Sequence, residues 1–323
     1  MGLEGRFAKG NGLPMRKHTL AVAIGATLLL SLAGCSEVSP GVGPTDGQLL
    51  TRAAVAGSSV PGAATLSRIY YWCQGQRVEA YLTVPTSAGQ FPLLVRLHGG
   101  SAWNGPSHSW FGWSAALAGS LASSSYVELF PEYQGYMGST GAVRGLRRDA
   151  EDTICGIHAA ESTGRVRSHE LYLIGASIGG GVALKVAGDL PHVRAVIAIS
   201  PWVGINLVEP WETQHALPGT IFASQLKNEI ASYGRHPSPA VLAQQSPAIA
   251  PITAPTLLLQ GTADHHVPWQ TVQEFAQAMK AAGKTVQLTL FPGGHHGLHG
   301  RNGNASTRAA FSWLLDHGLP PAL

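Results

Sequence analysis

The chain has 323 residues, 45% hydrophobic and only 12% charged, which excludes a disordered or nucleic-acid-binding protein and predicts one large, well-buried domain. The formal charge of +3 is an end effect: Arg6, Lys9, Arg16 and Lys17 against Glu4 place all of it in residues 1–34, and the remainder balances at 17 basic and 17 acidic residues. No polyanionic partner is expected.

In chain order, the first feature is a processing segment. Arg16 and Lys17 precede an apolar run from Leu20 to Leu32, too short for the ~20 residues of a membrane span. It ends in Leu32-Ala33-Gly34-Cys35, which resembles the lipobox of bacterial lipoproteins. That resemblance implies a signal peptide over 1–34 and a lipid on Cys35. The chain would then be anchored on the extracytoplasmic side of the cell envelope. An ordinary secretory signal with an incidental cysteine is the alternative. Residues 35–65, rich in Gly, Pro, Ser, Ala, Thr and Val without period, are expected to form a flexible tether.

The folded domain is expected over 66–323. Two strand-like runs, 68–73 and 77–84, joined by Gln74-Gly75-Gln76, predict an antiparallel hairpin. Strands at 93–97, 126–130, 171–174, 193–199, 256–260 and 286–291 then alternate with helices near 113–122, 144–161, 178–187, 272–282 and 307–317. The fold class is therefore α/β, a mostly parallel doubly wound sheet. A long stretch after the sixth strand, 201–254, is expected to be a cap or insertion with helices bordering the active site. Once Cys35 is lipidated, Cys73 and Cys155 remain in an oxidising compartment. They could pair, but one lies in a predicted strand and the other in a predicted helix. Two buried free thiols are the simpler expectation.

Gly175-Ala176-Ser177-Ile178-Gly179 follows an apolar strand and opens a helix, the setting of a nucleophile elbow. A serine hydroxyl needs a base, and the base needs an orienting acid. Asp264 follows one later strand, and His295 and His296 follow the next, at strand ends where open α/β sheets place their sites. Upstream, His98-Gly99-Gly100 forms a turn whose amides can approach a developing oxyanion, with the Ile178 amide as second donor. His98 is expected to brace that turn. Trp103, with Trp110, Phe111 and Trp113, and also Tyr133, could form a substrate wall or simply pack the first helix. The histidines of the two triad loops lack an accompanying Cys or carboxylate cluster, so no metal is expected. Asp149, Glu151 and Asp152 read as helix-terminal or surface charges.

These residues together resemble an α/β-hydrolase of the prolyl oligopeptidase-like and dienelactone hydrolase-like branch. The matching motifs are His98-Gly99-Gly100, Phe130-Pro131-Glu132-Tyr133-Gln134-Gly135, the Ser177 elbow, Gly261-Thr262-Ala263-Asp264 and His296-Gly297-Leu298. The resemblance implies a Ser177, Asp264, His296 triad and selects His296 over His295. It also implies Gly100 as an oxyanion donor, an acyl-enzyme and no cofactor. The sequence shows neither the β-propeller of the large oligopeptidases nor the acidic pair of the dipeptidyl peptidases. The expectation is thus a carboxylic ester hydrolase acting on a small ester, with a peptidase acting on short peptides as the alternative. A non-catalytic binding lipoprotein on the same fold is the rival from another class.

Overall fold

Strands that the sequence marks as continuous apolar runs are buried on both faces, because helices cover the sheet from either side. The computed structural model describes residues 43–56, 60, 63–100, 112–215 and 221–322. Cys35 and the expected leader over 1–34, and Trp103, Trp110 and Phe111, lie outside the described residues. The strands are β1 (Leu49–Ala54), β2 (Ala64–Cys73), β3 (Gln76–Pro85), β4 (Phe91–Leu97), β5 (Val127–Pro131), β6 (Val166–Ala176), β7 (Val193–Ile199), β8 (Thr256–Gly261) and β9 (Val286–Phe291). The helices are α1 (Ala115–Ser120), α2 (Leu146–Glu161), α3 (Ile178–Asp189), α4 (Ile205–His215), α5 (Ile221–Ser232), α6 (Pro239–Gln244), α7 (Trp269–Ala281) and α8 (Gly303–Asp316). None of the described helices is long and apolar enough to cross a membrane.

One nine-stranded sheet runs in the order β1-β2-β3-β5-β4-β6-β7-β8-β9. β1 to β3, and β3 with β5, pair antiparallel, and every pairing from β5 onward is parallel. Alternate residues of one strand serve opposite layers. Leu93 and Val95 join the core beneath α2, α3 and α7, whereas Leu94 joins the layer closed by α8. This is the doubly wound sheet the alternation predicts. The hairpin between β2 and β3 turns on Gln74 and Gly75, both at positive φ (48° and 79°), the pattern of a two-residue turn that matches strand twist. The Asp46 carboxylate holds that turn by accepting from the Gln74 backbone N–H (2.7 Å) and side-chain amide (2.8 Å).

Two expectations are corrected here. Residues 49–54 fall inside the expected tether, yet they form β1, paired with β2 from Leu49↔Tyr71 to Ala54↔Ser67. As a sheet edge with four exposed residues, β1 has no alternating pattern to betray it. With this extra strand the long insertion follows the seventh strand, and it carries α4, α5 and α6. The second correction concerns the cysteines: Cys73 and Cys155 form a disulfide. α2 packs directly over the end of β2, which brings the two Cα atoms to 5.8 Å, within bridging reach.

Candidate active site

Ser177 stands at the junction of β6 and α3 with φ 57° and ψ −123°, a conformation costly for a residue with a Cβ. The surroundings hold it there. Its N–H donates to the Ile199 carbonyl (2.8 Å), and its carbonyl accepts from Gly180 (3.0 Å) and Trp202 (3.0 Å). The flanking glycines are required by space. A Cβ on Gly175 would lie 2.1 Å from the Gly179 carbonyl oxygen, and one on Gly179 would lie 2.4 Å from that of Leu97. The G-x-S-x-G string therefore records where strand, helix and the neighbouring β4 end touch.

Asp264 follows β8 and His296 follows β9, and the structure brings them together. His296 Nδ1 lies 2.9 Å from Asp264 Oδ2 and 3.1 Å from Oδ1. The carboxylate is further fixed by the amides of His266 (2.8 Å) and Val267 (2.9 Å) on Oδ1, and by Gln260 Nε2 (3.1 Å) on Oδ2. Burial alone would raise the Asp264 pKa. The hydrogen bond and charge of His296, with the two amides, outweigh burial and hold it below the usual carboxylate value. His295 is turned away, exposed, with Nδ1 3.2 Å from the Ala263 carbonyl. The loop carrying His296 is pinned to β7 by Ser200, whose Oγ accepts from the Gly297 N–H (3.0 Å).

Ser177, Ile178, His296, His98 and Gly100 line a single cavity of about 470 Å³, walled by Trp113, Leu117, Trp202 and Val267. Gly100 has φ 149°, and a Cβ there would fall 2.6 Å from the Tyr136 hydroxyl. His98 acts as a brace: Nε2 lies 3.2 Å from Glu132 Oε2, and its ring stacks on Tyr133 at 4.3 Å. Glu132 also accepts from the Trp113 N–H (2.5 Å). Burial pushes the Glu132 pKa up, against the opposing pull of His98.

Tyr133, expected as a substrate wall, is fully buried and its hydroxyl donates to the His98 carbonyl (3.2 Å). It props the turn, because β5 runs parallel beside β4 and the chain leaving it ends next to the residue that follows β4. Asp149 stands in the first turn of α2, as the helix-terminal reading expects, but it and Asp152 are fully buried, which corrects the surface reading; Glu151 is a partly exposed charge, paired with Arg147 and Arg148. Asp152 accepts from the Gln134 amide N–H (2.8 Å) and side chain (2.8 Å). Residue patterns missed Glu132 as a brace, although an acid directly after a buried strand is a usable signal. They also missed His266, whose ring centroid lies 4.8 Å from that of His296, and Trp202 and Glu229 of the insertion, which reach the cavity.

The profile of the prolyl oligopeptidase family matches residues 143–318, and that of acetyl xylan esterase matches 56–206. The chain is 26% identical over 222 residues to acylamino-acid-releasing enzyme 1 of Oryza sativa subsp. japonica, covering 64% of this chain and 27% of that protein. It thus spans little more than a quarter of the plant enzymes it matches. Among solved structures, the uncomplexed acylaminoacyl peptidase of Pyrococcus horikoshii superposes with a TM-score of 0.63 at 18% identity, covering 80% of this chain and 42% of that one. Acetyl xylan esterase 1 from Thermoanaerobacterium sp. JW/SL YS485 gives 0.59 at 18% identity, covering 86% and 89%. These likenesses establish the α/β-hydrolase fold.

Proposed function

The chain belongs to the prolyl oligopeptidase family, and on that footing we propose that it is an extracytoplasmic serine hydrolase acting on carboxylic esters. The observation that carries this reading is the Asp264–His296 hydrogen bond, with His296 lining the same cavity as the strained Ser177. Ser177 Oγ attacks the carbonyl while His296 takes its proton. Asp264 holds the imidazole in the tautomer whose Nε2 is the base and then stabilises the imidazolium. The amides of Gly100 and Ile178 hold the oxyanion, each such donor typically contributing ~3 kcal/mol. His296 returns the proton to the leaving group, and water resolves the acyl-enzyme.

A serine peptidase is the second reading, favoured by similarity to acylamino-acid-releasing enzymes. A panel of 4-nitrophenyl acyl esters, acetylated sugars and acylaminoacyl amides separates the two. The ester reading expects kcat/KM for the best ester to exceed that for the best amide by at least about a hundredfold, abolished in Ser177→Ala. Amides turned over as well as esters would transfer the assignment to peptidase. For location, the Cys73–Cys155 disulfide supports an oxidising compartment, and Leu32-Ala33-Gly34-Cys35 supports lipid anchoring.

A further inference from the structure

Among the described residues, the cavity beside Ser177 is lined by one carboxyl, that of Glu229 on α5. Glu229 is fully buried. Its Oε1 accepts from Trp202 Nε1 (3.3 Å) and from the Tyr233 hydroxyl (3.1 Å). Its Oε2 has no hydrogen-bond partner among the described residues. A carboxylate sealed from water without a cation is strongly disfavoured. Burial accordingly pushes the Glu229 pKa up to about 8, against the smaller pull of Tyr233 and Trp202, so the group keeps its proton at neutral pH. With Oε1 occupied by two donors, the proton belongs on Oε2. That leaves a buried O–H donor with no acceptor among the described residues, on a residue that lines an otherwise largely apolar chamber.

We propose that Glu229 is a specificity residue whose protonated carboxyl donates a hydrogen bond from Oε2 to an uncharged oxygen acceptor, a carbonyl or ether, on the substrate. This rests on the hydrolase reading, because it is Ser177 in the same cavity that gives the bound group its significance. The selected substrates are neutral esters carrying a second oxygen acceptor. A cationic substrate would instead require Glu229 to ionise and the cation to leave water for an apolar chamber.

The test uses two probes, N,N-dimethylpentanamide, which accepts but cannot donate, and butyltrimethylammonium, which is cationic. Dissociation constants come from ligand-observed NMR titration and so do not depend on turnover. Near pH ~6.5 the wild type is expected to bind the amide roughly five- to tenfold more tightly than Glu229→Leu. Glu229→Gln, which keeps an N–H donor and nearly the same shape, retains most of that affinity. Raising the pH through about 8 removes the wild-type advantage, because ionised Glu229 can no longer donate. Glu229→Gln shows no such loss. Asp149 from α2, Tyr233 beyond α5, and His98, His266, His296 and His299 around the cavity are present in both proteins. The ratio of wild type to Glu229→Gln therefore isolates Glu229. Equal amide binding by wild type and both variants would overturn the proposal. So would a wild-type preference for the ammonium that Glu229→Gln removes. Turnover of 4-nitrophenyl acetate is measured separately. Its absence in the wild type would count against the hydrolase reading, whereas an active wild type without amide discrimination would count against Glu229 alone.

Discussion

At the scale of single residues, the decisive feature is the division of labour on the Asp264 carboxylate. Two backbone amides occupy Oδ1, so the carboxylate cannot swing, and the His296 ring is held by a partner that is itself held. His295, next in sequence, is exposed, with Nδ1 near the Ala263 carbonyl and its ring tilted against that of His265, and it meets no carboxylate among the described residues. His296→Ala is accordingly expected to lower kcat/KM for a short 4-nitrophenyl ester by about 10⁴-fold or more, and His295→Ala by only a few-fold. Steady-state kinetics of the two variants checks this, and the reverse ranking would move the base to His295. Ser177, Asp264 and the paired histidines were legible because each sits just past an apolar strand beside glycine, where packing leaves few other arrangements. Glu229 was not. In Leu226-Lys227-Asn228-Glu229-Ile230 it looks like any acid on the wet side of a helix, and only the tertiary fold turns it inward.

At the scale of elements, α2 and α5 depart from the rule that charged residues face solvent. The α2 sequence suggests one charged and one apolar face, yet Asp149 and Asp152 lie on the buried side. Asp152 is there because the chain after β5 offers it two donors from Gln134. Burial raises its pKa to about 7 and that of Glu229 to about 8, and it raises that of Asp149 well above its ordinary value. A carboxyl whose pKa is raised on folding favours the native state below its unfolded pKa. That contribution is lost as pH rises toward the folded value. For Glu229 the window runs from the ordinary 4.5 to about 8. The wild type should therefore lose thermal stability between pH ~5 and pH ~8. Glu229→Gln, uncharged throughout, should lose less, with a difference in Tm of roughly 5 °C or more. Calorimetric melts of both proteins across that range decide it, and parallel slopes would contradict an ionisable Glu229.

For the whole molecule, the order of strands and helices was readable because hydrophobic runs of strand length alternate with helical ones, and a parallel sheet follows from that alternation. What escaped was set by contacts distant in sequence. The edge strand β1 is recognisable only beside β2, and the Cys73–Cys155 bridge only once α2 lies across the sheet. The proposed anchor makes its own prediction. In a bacterial host the full chain should sediment with membranes and incorporate a palmitate analogue, and Cys35→Ser should lose the label. Unlabelled wild type would leave 1–34 as an ordinary export signal or none. The central claim, that Ser177 is an activated nucleophile, is tested most directly by a fluorophosphonate probe followed by mass spectrometry of the labelled peptide. The expected result is a single adduct on Ser177, absent from Ser177→Ala and from heat-unfolded protein. Folded wild-type protein that takes up no probe, or carries it on another residue, would contradict the account.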